Sequence, residues 1–180
     1  MGKIRVATEW FAGCAGCHMS LLDLGEWLFE LAKVVDIVYS PIADVKEYPE
    51  GVDVALVEGA VSTDEQVAKA RLIRERTGVL IAFGDCAVTA NVPGMRNALG
   101  KKEVVLERAF LDLVDSQPQI PSDPALPVLL DRVVPLHDIV DVDIHLPGCP
   151  PPAARIQAVL EQLVAGEEPR LVGRELLKFG

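Results

Sequence analysis

The sequence predicts an α/β fold: a mostly parallel sheet with helices covering both faces. Three observations carry this. Short apolar, β-branched runs alternate along the chain with stretches of helical period. Residues 3–11 and 78–84 read as buried strands, as strands covered on both faces are, while 140–146 alternate apolar and polar positions. The cysteines and most of their neighbouring glycines fall just after such runs, where open α/β sheets hold their ligands.

Residues 3–11 (KIRVATEWF) form the first predicted strand, leading into Gly13-Cys14-Ala15-Gly16-Cys17. Ser20, with Asp23 three residues on, predicts a capping-box-like helix start. Leu21, Leu24, Leu28 and Leu31 make its apolar stripe, widened by Leu22 and Trp27. Residues 34–39 and 52–57 are short β-branched strands. Ser62-Thr63-Asp64-Glu65 is a capping box for a helix reaching about Arg76. Residues 78–84 (GVLIAFG) are a further buried strand, ending at Asp85-Cys86. A helical pattern follows over about 102–115. Pro118, Pro121, Pro124 and Pro127 recur every third residue, which suits an extended connector over 117–127. Residues 140–146 read as the last strand and end at Pro147-Gly148-Cys149. Prolines 150–152 then open a helix whose apolar face is Ile156, Val159, Leu160 and Leu163. Residues 170–180 form a tail with no clear pattern.

A length of 180 residues fits one domain, taken as 1–180 with the proline-rich connector inside it. The chain has 17 Lys+Arg against 27 Asp+Glu, a net charge of −10, which argues against a nucleic-acid partner. Apolar residues are 50% of the chain, and about 58% once the 14 glycines are counted, against a usual ~45–50%. A deep core or a face buried on a partner would account for that excess. No apolar run approaches the ~18 residues of a membrane span. The N-terminus runs directly into a strand with no signal-peptide pattern, so a cytoplasmic location is expected. Thiols stay reduced there, and cysteines more often bind metal or do redox work than form disulfides.

All four cysteines lie at predicted strand ends: Cys14 and Cys17 after the first, Cys86 after 78–84, and Cys149 after 140–146. Five readings compete. Cys14-Ala15-Gly16-Cys17-His18 matches a c-type haem motif, but it leaves Cys86 and Cys149 without a role. A thioredoxin-like dithiol has the same gap. Structural zinc takes four thiolates, yet usually from two close pairs, and here 62 residues separate Cys86 from Cys149. The cysteines could also be small buried hydrophobes, which explains one or two of them. One 4Fe-4S cluster uses all four, one per iron, and tolerates distant ligands that the fold brings together. The glycines beside them let backbone N–H groups approach sulfur, and Cys149-Pro150 repeats a Cys-Pro ending seen at cluster ligands.

Four segments in register carry a family resemblance: WFAGCAGCHMSLLD at 10–23, EGAV at 58–61, GDCA at 84–87 and PGCPP at 147–151. Over about residues 4–165 the chain resembles the small subunits of NiFe hydrogenases, most of all those of cytoplasmic NAD-reducing (bidirectional) enzymes. The resemblance implies a flavodoxin-like domain, with Cys14, Cys17, Cys86 and Cys149 holding one 4Fe-4S cluster near a partner's NiFe centre. Many small subunits carry further cysteines for more clusters; this chain has none beyond the four. It implies a hydrogenase subunit without a catalytic centre of its own. The partners are then a NiFe-bearing large subunit and the iron-sulfur and flavin subunits of a diaphorase module. The iron-sulfur subunit of respiratory complex I is the related alternative, but it has adjacent cysteines where this chain has C-x-x-C. A stand-alone zinc or thiol redox protein is the other.

Other residues are weighed against ordinary roles. His18, His137 and His145 could be ligands or proton carriers, His18 beside Cys17 having the best case, but each reads as a surface or satisfied histidine. Glu9 and Glu58 end strands near the cysteines and could line an interface or proton route, or simply be solvated. Trp10 could pack over a cluster and exclude water, but reads as an ordinary core tryptophan. Arg71, Arg74 and Arg76 read as a solvated helix face. No G-x-G-x-x-G or P-loop motif is present.

Overall fold

A computed structural model describes residues 2–177. Five strands form one parallel sheet: β1 (Ile4–Trp10), β2 (Val35–Tyr39), β3 (Val52–Glu58), β5 (Thr77–Phe83) and β7 (Ile144–Leu146). Their spatial order is β2-β1-β3-β5-β7. This is the flavodoxin-like doubly wound order, and the winding reverses between β1 and β3. The strands β4 (Val61–Thr63) and β6 (Leu129–Val134) make a small antiparallel pair beside it.

The helices are α1 (Gly16–Leu22), α2 (Trp27–Val34), α3 (Asp64–Arg76), α4 (Asp85–Thr89), α5 (Asn91–Gly94), α6 (Lys102–Glu107), α7 (Ala153–Val164) and α8 (Arg174–Leu177). Alternate residues of β3 explain why both sheet faces need cover. Ala55 and Val57 point into a core with Ala70 and Ile73 of α3, together with Leu80, Ala82 and Leu136. Val54 and Leu56 point the other way, into a core with Ile81, Phe83, Leu146 and the α7 residues Ile156, Val159 and Leu160. Leu21, Leu28 and Leu31 of α1 and α2 pack on this second core. Each fully buried Leu or Ile contributes about 1.5–3 kcal/mol.

Several expected elements differ in detail. The single helix expected from Ser20 is two: α1 begins four residues earlier, and Gly25 at φ 58° breaks the chain before α2. Ser20 is therefore no cap; its hydroxyl donates to the Pro151 carbonyl at 2.6 Å. The capping box moves one residue along. The Thr63 hydroxyl accepts from Gln66 N–H, and the Gln66 side chain accepts from Ser62 N–H. The expected strand over 140–146 is reduced to Ile144–Leu146. Just before it the Asp143 carboxylate takes the Leu80 N–H and the Arg74 guanidinium. Arg74 and Arg76 are thus not merely solvated: Arg74 also holds the Thr77 and Gly78 carbonyls, and Arg76 the Tyr48 carbonyl and Glu50. The helical stretch after residue 102 passes from α6 into a π-helical turn, Arg108–Asp112. Residues 113–128 follow without helix or strand, as the proline period predicts. Of the patternless tail, 174–177 form α8; Met1 and residues 178–180 lie outside the described residues.

Candidate functional site

The loops after β1, β5 and β7 carry the four cysteines and lie at the carboxyl ends of parallel strands. In this strand order the ligand crevice opens there. Cys17 lies in the first turn of α1 and is buried; Cys14, just before α1, is exposed. Cys86 lies in the first turn of α4 and is partly buried. Cys149 is exposed, between Gly148 and a cis Cys149-Pro150 bond.

Glycine is required where these loops meet. Gly84, at φ 84°, lies against Cys17: a Cβ there would sit 2.2 Å from the Cys17 sulfur. Gly148, at φ 141°, turns so tightly that a Cβ would meet Pro151 Cα at 2.4 Å. At Gly59, at φ 91°, a Cβ would sit 2.8 Å from the Phe11 carbonyl carbon. These approaches bring the β1, β3, β5 and β7 loops to one place.

Hydrogen bonds then tie the loops together. Gly84 N–H donates to the Leu146 carbonyl at 2.8 Å, extending the β5–β7 ladder. Asp85 N–H donates to the Gly148 carbonyl at 2.9 Å, and Gly148 N–H donates to Asp85 Oδ1 at 2.7 Å. The Ser20 bond to Pro151 joins α1 to the Cys149 loop. Arg155 of α7, buried, donates to the Pro147 carbonyl at 2.7 Å and to the Leu176 carbonyl at 2.7 Å.

The open N-terminus of α1 is capped from a distant strand. Ala15 precedes it at φ 62° with no side-chain cap of its own. Glu58, at the end of β3 and only 2% exposed, accepts from His18 N–H at 3.0 Å and from Cys17 N–H at 3.4 Å. It also bonds His18 Nδ1. His18 is not a surface histidine: it is buried between Trp10 and Phe83. Its Nε2 is the buried side-chain atom without a hydrogen-bond partner among the described residues. Trp10 is not a core residue; it is 37% exposed, edge-on to His18. Glu9 is buried on the opposite sheet face, where it accepts from Tyr39 and lies 3.7 Å from Lys69 Nζ. His137 and His145 face each other, ring centroids 5.5 Å apart.

The cysteines feel one another electrostatically. The Cys17 thiol is pushed far up by burial, then by Glu58, then by Cys86, Cys14 and Cys149 in turn. Cys86 is pushed up by burial, opposed by a hydrogen bond from the Val92 N–H, with Cys149 and Cys14 raising it further. Four thiols within range of each other form a site whose charge a cationic group would relieve. Among the described residues, no three His, Cys, Asp or Glu side chains close on a single ion. A cubane presents four separate irons, so its sulfurs must surround a volume rather than a point. Gly84 packs against the Cys17 sulfur, and the thiols of three separate loops act on one another, a donor set that suits such a group.

A family model, "NADH ubiquinone oxidoreductase, 20 Kd subunit", matches residues 14–163. The chain belongs to this family. Within it, the similar proteins are hydrogenase subunits. The delta subunit of the NAD-reducing hydrogenase HoxS of Cupriavidus necator is 38% identical, over 92% of this chain and 80% of its own length. A subunit of the F420-non-reducing hydrogenase vhu of Methanocaldococcus jannaschii is 40% identical over 93% of this chain. This chain spans only 58% of that relative's length. A crystal structure of a NAD+-reducing [NiFe]-hydrogenase in the H2-reduced state contains a chain that superposes with a TM-score of 0.93. It is 40% identical, with 99% of both chains covered. The [NiFeSe] hydrogenase of Desulfomicrobium baculatum, at 16% identity and a TM-score of 0.56 over 95% of this chain and 67% of its own, shares the fold. The family resemblance carried by the four motifs is therefore confirmed, and the chain is an oxidoreductase subunit of the hydrogenase kind.

Ser20, Asp85 and Arg155 were not legible as site residues. Asp85 stands beside Cys86 in sequence, but nothing local shows that its partner is Gly148. Ser20 looks like a helix cap, and Arg155 like any polar position of an amphipathic helix.

Proposed function

We propose that this chain is the electron-transfer subunit of a NAD-reducing NiFe hydrogenase. It would hold one 4Fe-4S cluster between a partner's NiFe centre and a diaphorase module, in the cytoplasm and as one iron-sulfur domain. What supports this is the placement of four cysteines on three strand-end loops, with Cys86, Cys14 and Cys149 all acting on the Cys17 thiol. Cys14, Cys17, Cys86 and Cys149 are the proposed ligands. When bound, a cubane takes up and gives back one electron at a time.

The chain's own residues supply the setting. Glu58 fixes the α1 turn that carries Cys17. Burial raises the Cys86 thiol, and the Val92 backbone partly offsets that rise. Exposed Cys14 and Cys149 leave one side of the site open. Trp10 and Met19 are exposed nearby in the chain, as residues that meet a large apolar partner would be. The relatives' names supply the rest: HoxS is a NAD-reducing hydrogenase, and the superposing chain comes from one.

Anaerobic purification with the co-expressed subunits tests this. The expected result is about four iron per chain, an EPR signal from one reduced cubane, and a nickel-bearing large subunit in the same complex. Zinc in place of iron, or a stable monomer with no large subunit, would overturn it. Assembly instead with quinone-reductase subunits would assign the chain to the complex I branch of its family.

A further inference from the structure

We propose that Asp85 is the residue that couples the Cys86 and Cys149 loops and, through its charge, holds the potential of the site low. The inference rests on the cluster reading above. It starts from a pair of reciprocal bonds. Asp85 N–H donates to the Gly148 carbonyl at 2.9 Å, and Gly148 N–H returns to Asp85 Oδ1 at 2.7 Å. Asp85 directly precedes Cys86 and Gly148 directly precedes Cys149. One residue, through its backbone and its side chain, thus ties together two proposed ligands that are 63 residues apart in sequence.

The Cys149 loop has little freedom left once this bond forms. Gly148 is in a conformation that only glycine adopts readily. The Pro147 carbonyl is held by Arg155 and the Pro151 carbonyl by Ser20. Asp85 supplies the third hold, on the N–H between them.

A neutral amide oxygen could also accept the Gly148 N–H, so the charge of the carboxylate can be separated from its hold on the loop. An iron-sulfur site with four thiolates is net negative, and its potential depends on nearby charge and hydrogen bonds. A carboxylate one residue from one ligand, bonded to the neighbour of another, opposes the arrival of an electron. The reduction adds one electron to the site; no bond or proton changes at Asp85.

The test uses the purified hydrogenase complex carrying Asp85→Asn or Asp85→Ala, with iron per chain and an EPR-monitored redox titration as readouts. Asn keeps a carbonyl oxygen for the Gly148 N–H and removes the charge. Asp85→Asn should keep wild-type iron and favour the reduced state at least threefold, a positive shift of about 28 mV at 59 mV per tenfold for one electron. Asp85→Ala should lose iron and broaden the EPR signal, because the loop hold goes with the charge. An unshifted potential in Asp85→Asn, or its loss of iron, would overturn the inference. So would wild-type iron and line shape in Asp85→Ala. A wild-type complex without an iron-sulfur signal would overturn the underlying reading as well, and the parent measurement alone tells that case apart.

Discussion

The Glu58 carboxylate holds His18 twice, by its backbone N–H at 3.0 Å and by its imidazole Nδ1. A residue at the end of β3 thereby caps a helix that starts 42 positions earlier, and it sets the angle at which Cys17 enters the site. Buried donors without a partner cost about 1–3 kcal/mol each. Glu58→Ala strands at least two, so it should lower stability by about 2–6 kcal/mol, read from the midpoint of a urea titration at unchanged slope. Glu58→Gln keeps one acceptor oxygen and should lose less. Equal losses for the two variants would show that Glu58 acts by packing rather than by capping.

Gly84 gives a sharper probe of the site itself. A Cβ there would overlap the Cys17 sulfur, so Gly84→Ala must displace either the sulfur or the β5–α4 turn. Iron should fall from about four per chain toward none while the far-UV circular dichroism stays intact. Gly166→Ala is the matched control, since that glycine also has positive φ but nothing within 4 Å of a Cβ. Iron retained in Gly84→Ala would mean that the space beside Cys17 is not the cluster cradle.

The sequence exposed the strand ends and the cysteines on them because those signals are local: an apolar run, then glycine and cysteine. The strand order follows from the parallel sheet only once pairings form, and pairing is non-local. The same division holds within the site. Cys14 and Cys17 announce themselves by spacing, whereas Glu58 as a cap for α1 depends on the β1–β3 register that sets Trp10 opposite Glu58. The small β4–β6 pair was illegible for a like reason: β6 lies beyond the proline-rich segment, and β4 has only three residues. Trp10 and His18 exchanged their expected places. Their faces are decided by the loop after β1, which bends around Gly59, and not by any periodicity.

The Glu9–Lys69 pair is partly buried and shares Tyr39. Lys69 Nζ donates to the Tyr39 hydroxyl at 2.9 Å and lies 4.6 Å from its ring centre, while Tyr39 donates to Glu9 at 3.1 Å. Lys69→Met leaves the carboxylate without its cation and should lower stability by about 1–3 kcal/mol, below the cost for a fully buried pair because water reaches Lys69. Adding Glu9→Gln should recover part of that loss. A double-mutant cycle with no coupling would show the pair to be energetically idle.

The His137–His145 contact predicts an acid-sensitive step. Burial, and then the neighbouring His137, hold the His145 imidazole below its usual value of 6.5. A group whose folded value is depressed binds its proton more weakly in the folded chain. Its contribution to stability is therefore complete above 6.5 and is lost as the pH falls through the folded value. Wild-type stability should decline as the pH drops below about 6.5, before the carboxylates titrate near 4. Asp138 lies 3.8 Å from His137 Nε2, and Asp143, Glu167 and Glu168 line the same cavity as His145. His145→Gln should flatten this part of the curve and leave the fall near pH 4 in place. Thermal melts of the two proteins at half-unit steps from pH 8 to pH 4 would decide it. Parallel curves between pH 6.5 and pH 5 would assign the acid sensitivity to other groups.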